Sequence, residues 1–185
     1  WTMASFKAWA NVGSWRTVWA LIDGNYGPGY YGPLETRTQI QEAVVPRANP
    51  SVIPTWLSTL AFAGAYLWLL AKPINKILPK NLVYFTLIAA LFFHLWSKGW
   101  SPQWMVLLIP IFLLSFPGKT GFIIVLGLSA LTFIEWPLLE LLDSNSLYAV
   151  QISLRTISFL AILFLVIKKI WSPVDSTPAQ KTIQL

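Results

Sequence analysis

Hydrophobic residues are gathered into blocks along the chain, at about 52–71, 82–96, 104–116, 122–142 and 148–170. Short clusters rich in Lys, Pro, Gly, Asn and Ser separate the blocks. A helical block near twenty residues matches the ~30 Å hydrocarbon core of a bilayer. The pattern therefore predicts an all-α fold, in which residues 51–171 form a polytopic bundle of about five transmembrane helices.

The first fifty residues follow a different pattern. Four apolar residues recur there at helical spacing, namely Trp15, Val18, Trp19 and Ile22. Gly, Pro and Tyr then dominate residues 23–33, a composition typical of turns. Because a tryptophan ring is apolar but carries an N–H donor, it suits the boundary between lipid and water. We expect residues 1–50 to contain a short interfacial helix, although an amphipathic helix on an ordinary loop would give the same spacing.

Positive charges are distributed along the chain in a way that indicates topology. The connections after the first, third and fifth blocks hold Lys72, Lys76, Lys80, Lys119, Lys168, Lys169 and Lys181. The other two connections hold Lys98 in one and Glu140 and Asp143 in the other. Because Lys and Arg near span ends stay on the cytoplasmic side, we expect residues 1–50 to be extracytoplasmic. The polar residues 172–185 would form a disordered cytoplasmic tail, and the protein would be an integral multi-pass component of a bacterial plasma membrane.

The composition excludes several classes of site and partner. Only 11% of the residues are charged and 56% are hydrophobic, whereas soluble domains carry about 25% charged residues. The chain has no cysteine and one histidine, so we expect no thiolate catalysis, no metal and no cofactor. The net charge of +6 lies between apolar blocks and not on the basic face of a soluble module. We therefore expect membrane lipids, and no nucleic acid, as partners.

The segment HLWSKGWSPQW, residues 94–104, holds the most varied side-chain chemistry. Lys98 is suited to bind a phosphate as a point charge, and Gln103 can both donate and accept a hydrogen bond. Trp100 and Trp104 offer flat apolar surfaces on which a sugar or a lipid can rest. The alternative is a plain interfacial loop, in which Lys98 reaches toward water and the tryptophans act as anchors.

Glu135 and Arg155 are ionisable residues inside the fourth and fifth blocks. Folding these blocks as a hairpin about residue 145 puts each about ten positions, roughly 15 Å, from the turn. An unpaired charge at that depth costs about 2.5–3.5 kcal/mol on insertion scales. We predict a structural ion pair between them; the alternative is that Arg155 faces the same external cavity as Lys98 and binds a phosphate through its planar fork.

Two segments resemble the lipid-phosphate-sugar-dependent glycosyltransferases of the GT-C superfamily. SKGWSPQW, residues 97–104, is similar to the NKVFSPQY segment of the polyprenol-phosphate-mannose-dependent mannosyltransferases and matches it at Lys98, Ser101, Pro102 and Gln103. Ser97 replaces the Asn there, and Trp104 replaces the Tyr, so a hydroxyl is lost while a ring is kept. SWRTVWALIDGNYGPG, residues 14–29, looks like the SWETxWALxxGYYxYG segment of bacterial members, with Arg16 in place of Glu.

The resemblance implies transfer of a mannose-like sugar from a polyprenyl-phosphate donor to a glycan or lipid acceptor at the extracytoplasmic face. The donor-binding residues would be His94, Lys98, Trp100, Ser101, Gln103 and Arg155. In this family the general base lies in an acidic first external loop, and Asp23 and Glu35 come too close to the matched segment to replace it. Residue 1 is Trp and the first fifty residues contain no signal sequence. We therefore expect the C-terminal part of a longer protein, inactive alone because the base is missing.

A membrane transport or binding module is the second hypothesis. Glu135, Arg155 and His94 would then line a polar path for a solute or a proton. Such a module predicts discontinuous helices and an internal repeat. The hydrophobic blocks have no self-similarity, which favours the enzyme.

Overall fold

The computed structural model describes residues 13–26, 48–72, 79–142 and 145–171. Of these residues 81% are helical and none lies in a β-strand. The prediction of an all-α fold is therefore confirmed for the described part of the chain. Several predictions lie outside it: the disordered tail 172–185, most of the Gly- and Tyr-rich stretch, and the placement of Glu35, Lys76, Asp143 and Lys181.

The described helices follow the hydrophobic blocks. They are α1 (Val18–Asp23), α2 (Thr55–Ala71), α3 (Pro79–Trp96), α4 (Met105–Ser115), α5 (Lys119–Phe133), α6 (Leu139–Leu142) and α7 (Asn145–Trp171). A 3₁₀ turn, Pro102–Trp104, leads directly into α4, and an irregular turn, Ile134–Leu138, connects α5 to α6. Each of the apolar blocks is thus helical, with ends a few residues from the predicted ones.

The fourth block is broken, which corrects the expectation of one continuous helix over 122–142. Trp136 has φ −143° and ψ 121°, an extended conformation inside the irregular turn. The next residue is Pro137, which lacks an N–H group and disfavours the helical conformation of the residue before it. Pro110, by contrast, lies inside α4, which continues through it.

The predicted N-terminal helix is shorter than its apolar spacing indicates. It begins at Val18, so Trp15 does not share a helical face with Val18 and Trp19. Trp15 instead forms an isolated parallel β-bridge with Gly99. Arg16 follows with a positive φ of 51°, a conformation that non-glycine residues adopt rarely. Its backbone therefore turns the chain between the bridge and α1.

Helix α3 lies at the centre of the packing and contacts α2, α4 and α7. Helices α4 and α5 pack against each other, and α1 and α5 both pack against α7. The buried core joins these helices through side chains that include Leu87, Ile88, Leu91, Leu108, Phe112, Phe159 and Val166. Because the core is built around α3, the C-terminal end of that helix has a fixed position relative to α7.

Two helical stretches in the described part are long and apolar enough to cross a membrane, Lys119–Leu138 and Ser146–Trp171. Only 22% and 33% of their most apolar windows are buried. A core helix of a soluble protein would be mostly buried, because water would otherwise contact its apolar side chains. The exposed side chains include Phe122, Leu126, Phe133, Ile157 and Phe164. This exposed apolar surface is typical of helices that contact lipid.

The bundle has two chemically different ends. Lys80 and Trp96 lie at opposite ends of α3. We call one end the lysine end, made of Lys72, Lys80, Lys119, Lys168 and Lys169. We call the other the tryptophan end, made of Trp15, Trp19, Trp96, Trp100 and Trp104. The contact between the Trp68 and Trp171 rings, 5.8 Å between centroids, joins the ends of α2 and α7 at the lysine end.

Candidate functional site at the tryptophan end

The two segments that resemble one family are hydrogen-bonded to each other through their backbones. The Trp15 N–H donates to the Lys98 carbonyl at 2.9 Å, and the Trp100 N–H donates to the Trp15 carbonyl at 3.2 Å. The residue between them, Gly99, has no side chain, and a Cβ there would collide with the indole ring of Trp15. Glycine is therefore the residue that allows this close approach.

Side chains of the N-terminal segment reinforce the pairing. The Thr17 hydroxyl donates to the Lys98 carbonyl at 3.2 Å, and Trp19 Nε1 donates to the Leu95 carbonyl at 2.9 Å. Leu95 lies in the last turn of α3, where carbonyl groups have no partner within the helix. The segment thus acts as a cap on the C-terminal end of α3.

Asp23 holds the start and end of the same N-terminal region together. Its carboxylate accepts hydrogen bonds from the Ser14 hydroxyl at 2.6 Å, the Val52 N–H at 2.8 Å and the Ser51 hydroxyl at 3.3 Å. Asp23 is buried. Asp23 therefore has a structural role, because it fixes α1 against the residues that precede α2.

Arg155 connects three parts of the tryptophan end. Its Nη1 donates to Glu135 Oε2 and its Nη2 donates to the Arg16 carbonyl. The guanidinium also lies 4.4 Å from the centre of the Trp100 ring. The side chains of Arg155 and Glu135, which the hairpin arithmetic places at matching depth, are thus in contact. Both are buried, so this contact joins α7 to the break after α5 in a place without solvent.

Two further residues of this cluster were missed as site residues. Gln151, one helical turn before Arg155, donates to the Leu131 carbonyl at 2.7 Å and lies 3.5 Å from Glu135 Oε2. A polar residue four positions from Arg155 on an apolar helix was a usable signal, because such residues share a face. Arg16 is buried, and its guanidinium lies 5.8 Å from the centre of the Tyr148 ring. Its departure from the family pattern was visible, but its contact with α7 was not.

A small cavity lies beside Arg155. It measures about 10 Å³ and is lined by Thr17, Val18, His94, Leu95, Trp100, Arg155, Thr156 and Phe159. The His94 Nδ1 lies 2.7 Å from the Ala90 carbonyl. Among the described residues, neither His94 Nε2 nor Trp100 Nε1 has a hydrogen-bond partner, and both are buried. Three of the six expected donor-binding residues, His94, Trp100 and Arg155, therefore meet at one cavity.

The other three expected residues lie outside this cavity. The Lys98 ammonium donates to the Ile53 carbonyl at 2.8 Å and lies 5.9 Å from the centre of the Trp19 ring. Ser101 precedes the 3₁₀ turn, and its carbonyl accepts the Trp104 N–H at 3.0 Å. Gln103 lies in that turn and is exposed. The expected site is thus divided: His94, Trp100 and Arg155 meet at the closed cavity, whereas Lys98, Ser101 and Gln103 lie on the loop and turn outside it.

An apolar groove of about 270 Å³ opens between α2 and α3. It is lined by Thr59, Phe62, Ala63, Tyr66, Ala89, Phe92, Phe93 and Trp96. A hydrogen bond of 3.0 Å from Trp96 Nε1 to the Thr59 hydroxyl joins α3 to α2 at the end of the groove nearest the tryptophan end. Phe62 in the groove contacts Trp19, with 6.2 Å between ring centroids. Trp19 therefore lies between the groove and the ammonium of Lys98.

The part of the chain that the structure describes contains no group of three or more His, Cys, Asp or Glu side chains able to hold a metal ion. Comparison of the chain with protein-family models, curated proteins and solved structures finds no match. The family resemblance of residues 14–29 and 97–104 therefore stays a prediction, and the functional argument depends on the geometry of the tryptophan end.

Proposed function

We propose that the chain is part of a multi-pass membrane glycosyltransferase, which transfers a mannose-like sugar from a polyprenyl-phosphate donor to a glycan or lipid acceptor. The observation that carries the proposal is the backbone pairing of Trp15 with Lys98 and Trp100. Two chance similarities in distant parts of a chain have no reason to contact each other. Two segments that form the wall of one active site are expected to contact each other.

The charge of the tryptophan end supports an anionic substrate. Arg16 and Arg155 are buried near one carboxylate, Glu135, and the ammonium of Lys98 lies on the neighbouring loop. Positive charge in a place with little water attracts a phosphate more strongly than it would on an open surface. Arg155 already donates to Glu135 and to the Arg16 carbonyl. We therefore assign the phosphate to the ammonium of Lys98, and give Arg155 a positioning role.

The apolar groove between α2 and α3 supports a lipid-linked donor. Its aromatic lining suits an isoprenoid chain, and Trp19 connects its Phe62 wall to the ammonium of Lys98. A polyprenyl phosphate can then occupy both features at once, with its chain in the groove and its phosphate at Lys98. The sugar would extend toward Gln103 and the exposed 3₁₀ turn.

The proposal includes five membrane spans, formed by α2, α3, α4, the α5–α6 unit and α7. The tryptophan end would be extracytoplasmic and the lysine end cytoplasmic, because Lys and Arg are retained on the cytoplasmic side. The chain has no cysteine, so single cysteines can be introduced at Gln103 and at Lys119, which are both exposed. A membrane-impermeant reagent added outside intact cells should label only the cysteine at position 103. Labelling of both from one side contradicts the five-span arrangement.

A transport module is the second candidate, because the break at Trp136 is the discontinuous helix that such a module predicts. The packing around the break argues against an open path. Glu135 contacts Arg155 and Gln151, and the adjoining cavity holds only about 10 Å³. Transport predicts that Glu135→Gln abolishes solute or proton uptake by vesicles that contain the protein, whereas the transferase predicts no uptake to abolish.

The transferase is tested by sugar transfer in membranes that contain the protein as its gene encodes it. The donor is a radiolabelled polyprenyl-phosphate mannose, and membranes of a deletion strain are the baseline. Lys98→Ala should reduce transfer about tenfold or more, because a hydrogen bond to a charged group contributes about 1.5–3 kcal/mol. Lys72→Ala, at the lysine end, is the matched control and should not reduce it.

Two results would refute the proposal. One is the absence of protein-dependent transfer from polyprenyl-phosphate mannose and from the corresponding glucose and arabinose donors. The other is an equal effect of Lys98→Ala and Lys72→Ala, which would return Lys98 to the role of a loop anchor. Membrane content of each variant is measured in parallel by immunoblot.

A further inference from the structure

One ring nitrogen of His94 is hydrogen-bonded, and the other has no hydrogen-bond partner among the described residues. Its Nδ1 lies 2.7 Å from the Ala90 carbonyl, one turn earlier on α3. A carbonyl oxygen can only accept a hydrogen bond, so Nδ1 carries the proton. In the neutral ring Nε2 is then an acceptor, and His94, 9% exposed, has no described donor for it.

The indole of Trp100 has a hydrogen-bond donor without an acceptor. Its Nε1–H can only donate, the residue is 2% exposed, and no described acceptor lies within hydrogen-bond distance. A buried polar group without a partner is costly, which is why such groups are nearly always satisfied by protein or ordered water. The two rings are neighbours, with 5.3 Å between centroids, and both line the cavity beside Arg155.

The size and charge of the cavity select what fits there. About 10 Å³ corresponds to roughly one water molecule, which needs two to four polar partners. A cation is excluded because the guanidinium of Arg155 lines the same cavity, and a phosphate or a sugar is far too large. Thr156 donates its hydroxyl hydrogen to the Ile152 carbonyl at 2.8 Å, so its oxygen remains an acceptor.

We propose that this cavity is a binding site for a single ordered water molecule, which donates to His94 Nε2 and accepts from Trp100 Nε1–H. Its second hydrogen is available to the Thr156 hydroxyl. The water then connects α3, the loop after it and α7. It also fixes the indole of Trp100 beneath the guanidinium of Arg155, 4.4 Å from the ring centre.

Nitrogen-15 NMR of the histidine-labelled protein in lipid nanodiscs tests this directly. His94 is the sole histidine of the chain, and its signals are assigned by their loss in His94→Asn. We expect a protonated Nδ1, an unprotonated Nε2 whose shift indicates an accepted hydrogen bond, and magnetisation transfer from water protons to the His94 ring. A protonated Nε2, or a ring without transfer from water, overturns the proposal.

Two matched variants separate a bound water from general hydration. Trp100→Phe removes the donor and should weaken the transfer from water by severalfold. Trp104→Phe removes the same group from another ring that contacts His94, at 5.6 Å between centroids, but it does not line the cavity and should leave the transfer unchanged. Equal effects of both variants contradict a site in this cavity. A density map at a resolution that shows waters gives an independent answer, since a dry cavity also refutes the proposal.

Discussion

The lysine end and the tryptophan end hold positive charge in opposite ways. At the lysine end the ammonium groups rest on aromatic rings near the helix ends: Lys72 lies 4.4 Å from the centre of the Trp68 ring, and Lys169 lies 4.3 Å from that of Phe116. At the tryptophan end the guanidinium of Arg155 also lies 4.4 Å from an indole centre. Arg155, however, is buried and hydrogen-bonded on both sides.

The two ends therefore show how burial changes the energetic importance of a cation that lies over an aromatic ring. An exposed ammonium over a ring contributes about 0.5–1 kcal/mol and can be replaced by water. A buried ion pair has no water to replace a lost partner, so removing Arg155 leaves Glu135 without the cation that contacts it. The lysine end therefore suits orientation in a membrane, whereas the tryptophan end suits the fixed positioning of chain segments.

The largest expected effect is the loss of Arg155. Arg155→Met should destabilise the protein by about 3–5 kcal/mol, because it leaves the buried Glu135 carboxylate without its ion-pair partner and the Arg16 carbonyl without its donor. The measurement is the free energy of unfolding by SDS in mixed micelles. Adding Glu135→Leu to Arg155→Met should recover part of the loss, since the buried charge is then removed as well. Additive losses in the double variant would show that the two side chains do not depend on each other.

The second effect tests the backbone pairing at the tryptophan end. Gly99→Ala should cost about 1–3 kcal/mol, because the new Cβ would collide with the Trp15 indole in a packed region. Gly64→Ala is the matched control: a Cβ there meets nothing within 4 Å, and Ala is the better helix former by about 1 kcal/mol. Unfolding of both variants is compared with wild type. A Gly99→Ala protein as stable as Gly64→Ala would mean that Trp15 does not pack on Gly99.

Much of the helical architecture follows from the sequence. Apolar blocks near twenty residues long, in a chain with few charged side chains, favour helices over other secondary structure. The hairpin arithmetic places Glu135 and Arg155 at matching depth, and the two side chains are in contact. Pro137 also indicates the break at Trp136, since the residue before a proline avoids the helical conformation. Pro110 shows why it was not predictable with certainty: the same residue type lies inside α4 without ending it.

The candidate site was less predictable, since it depends on contacts between distant segments. Residue types selected His94, Trp100 and Arg155 along with Lys98, Ser101 and Gln103, but nothing in the spacing divides the first three from the last three. That division depends on the tertiary structure, in which Trp15 pairs with the loop after α3 and the Trp100 indole is buried against α7. The role of Arg16 is of the same kind. Its carbonyl accepts from Arg155, and its φ is positive, and neither feature is visible in the residue type.

A smaller, local effect is expected for Asp23, which holds the N-terminal segment in place at the tryptophan end. Asp23→Asn keeps one acceptor for the Val52 N–H but replaces the charged oxygen that accepts from Ser14 and Ser51. We expect a net loss of about 1 kcal/mol: bonds to a charged oxygen contribute more than that, but the new amide NH2 can donate to the two hydroxyl oxygens in exchange. Hydrogen exchange followed by mass spectrometry should show faster exchange over 14–25, with α4 unchanged. Uniform exchange across both regions would contradict a local role.

The smallest effect is expected at the lysine end. Lys169→Met keeps the length of the apolar stem over Phe116 and removes only the charge, so the free energy of unfolding should fall by about 0.5 kcal/mol. Because Lys169 is exposed, part of that loss should disappear in 1 M salt, where the Debye length is about 3 Å. Arg155→Met should keep its full cost in the same salt, since buried charges are screened much less. If instead Lys169→Met cost several kcal/mol and resisted salt, the two ends would hold their charges by the same means, and the contrast between a surface that orients and a cluster that positions would fail.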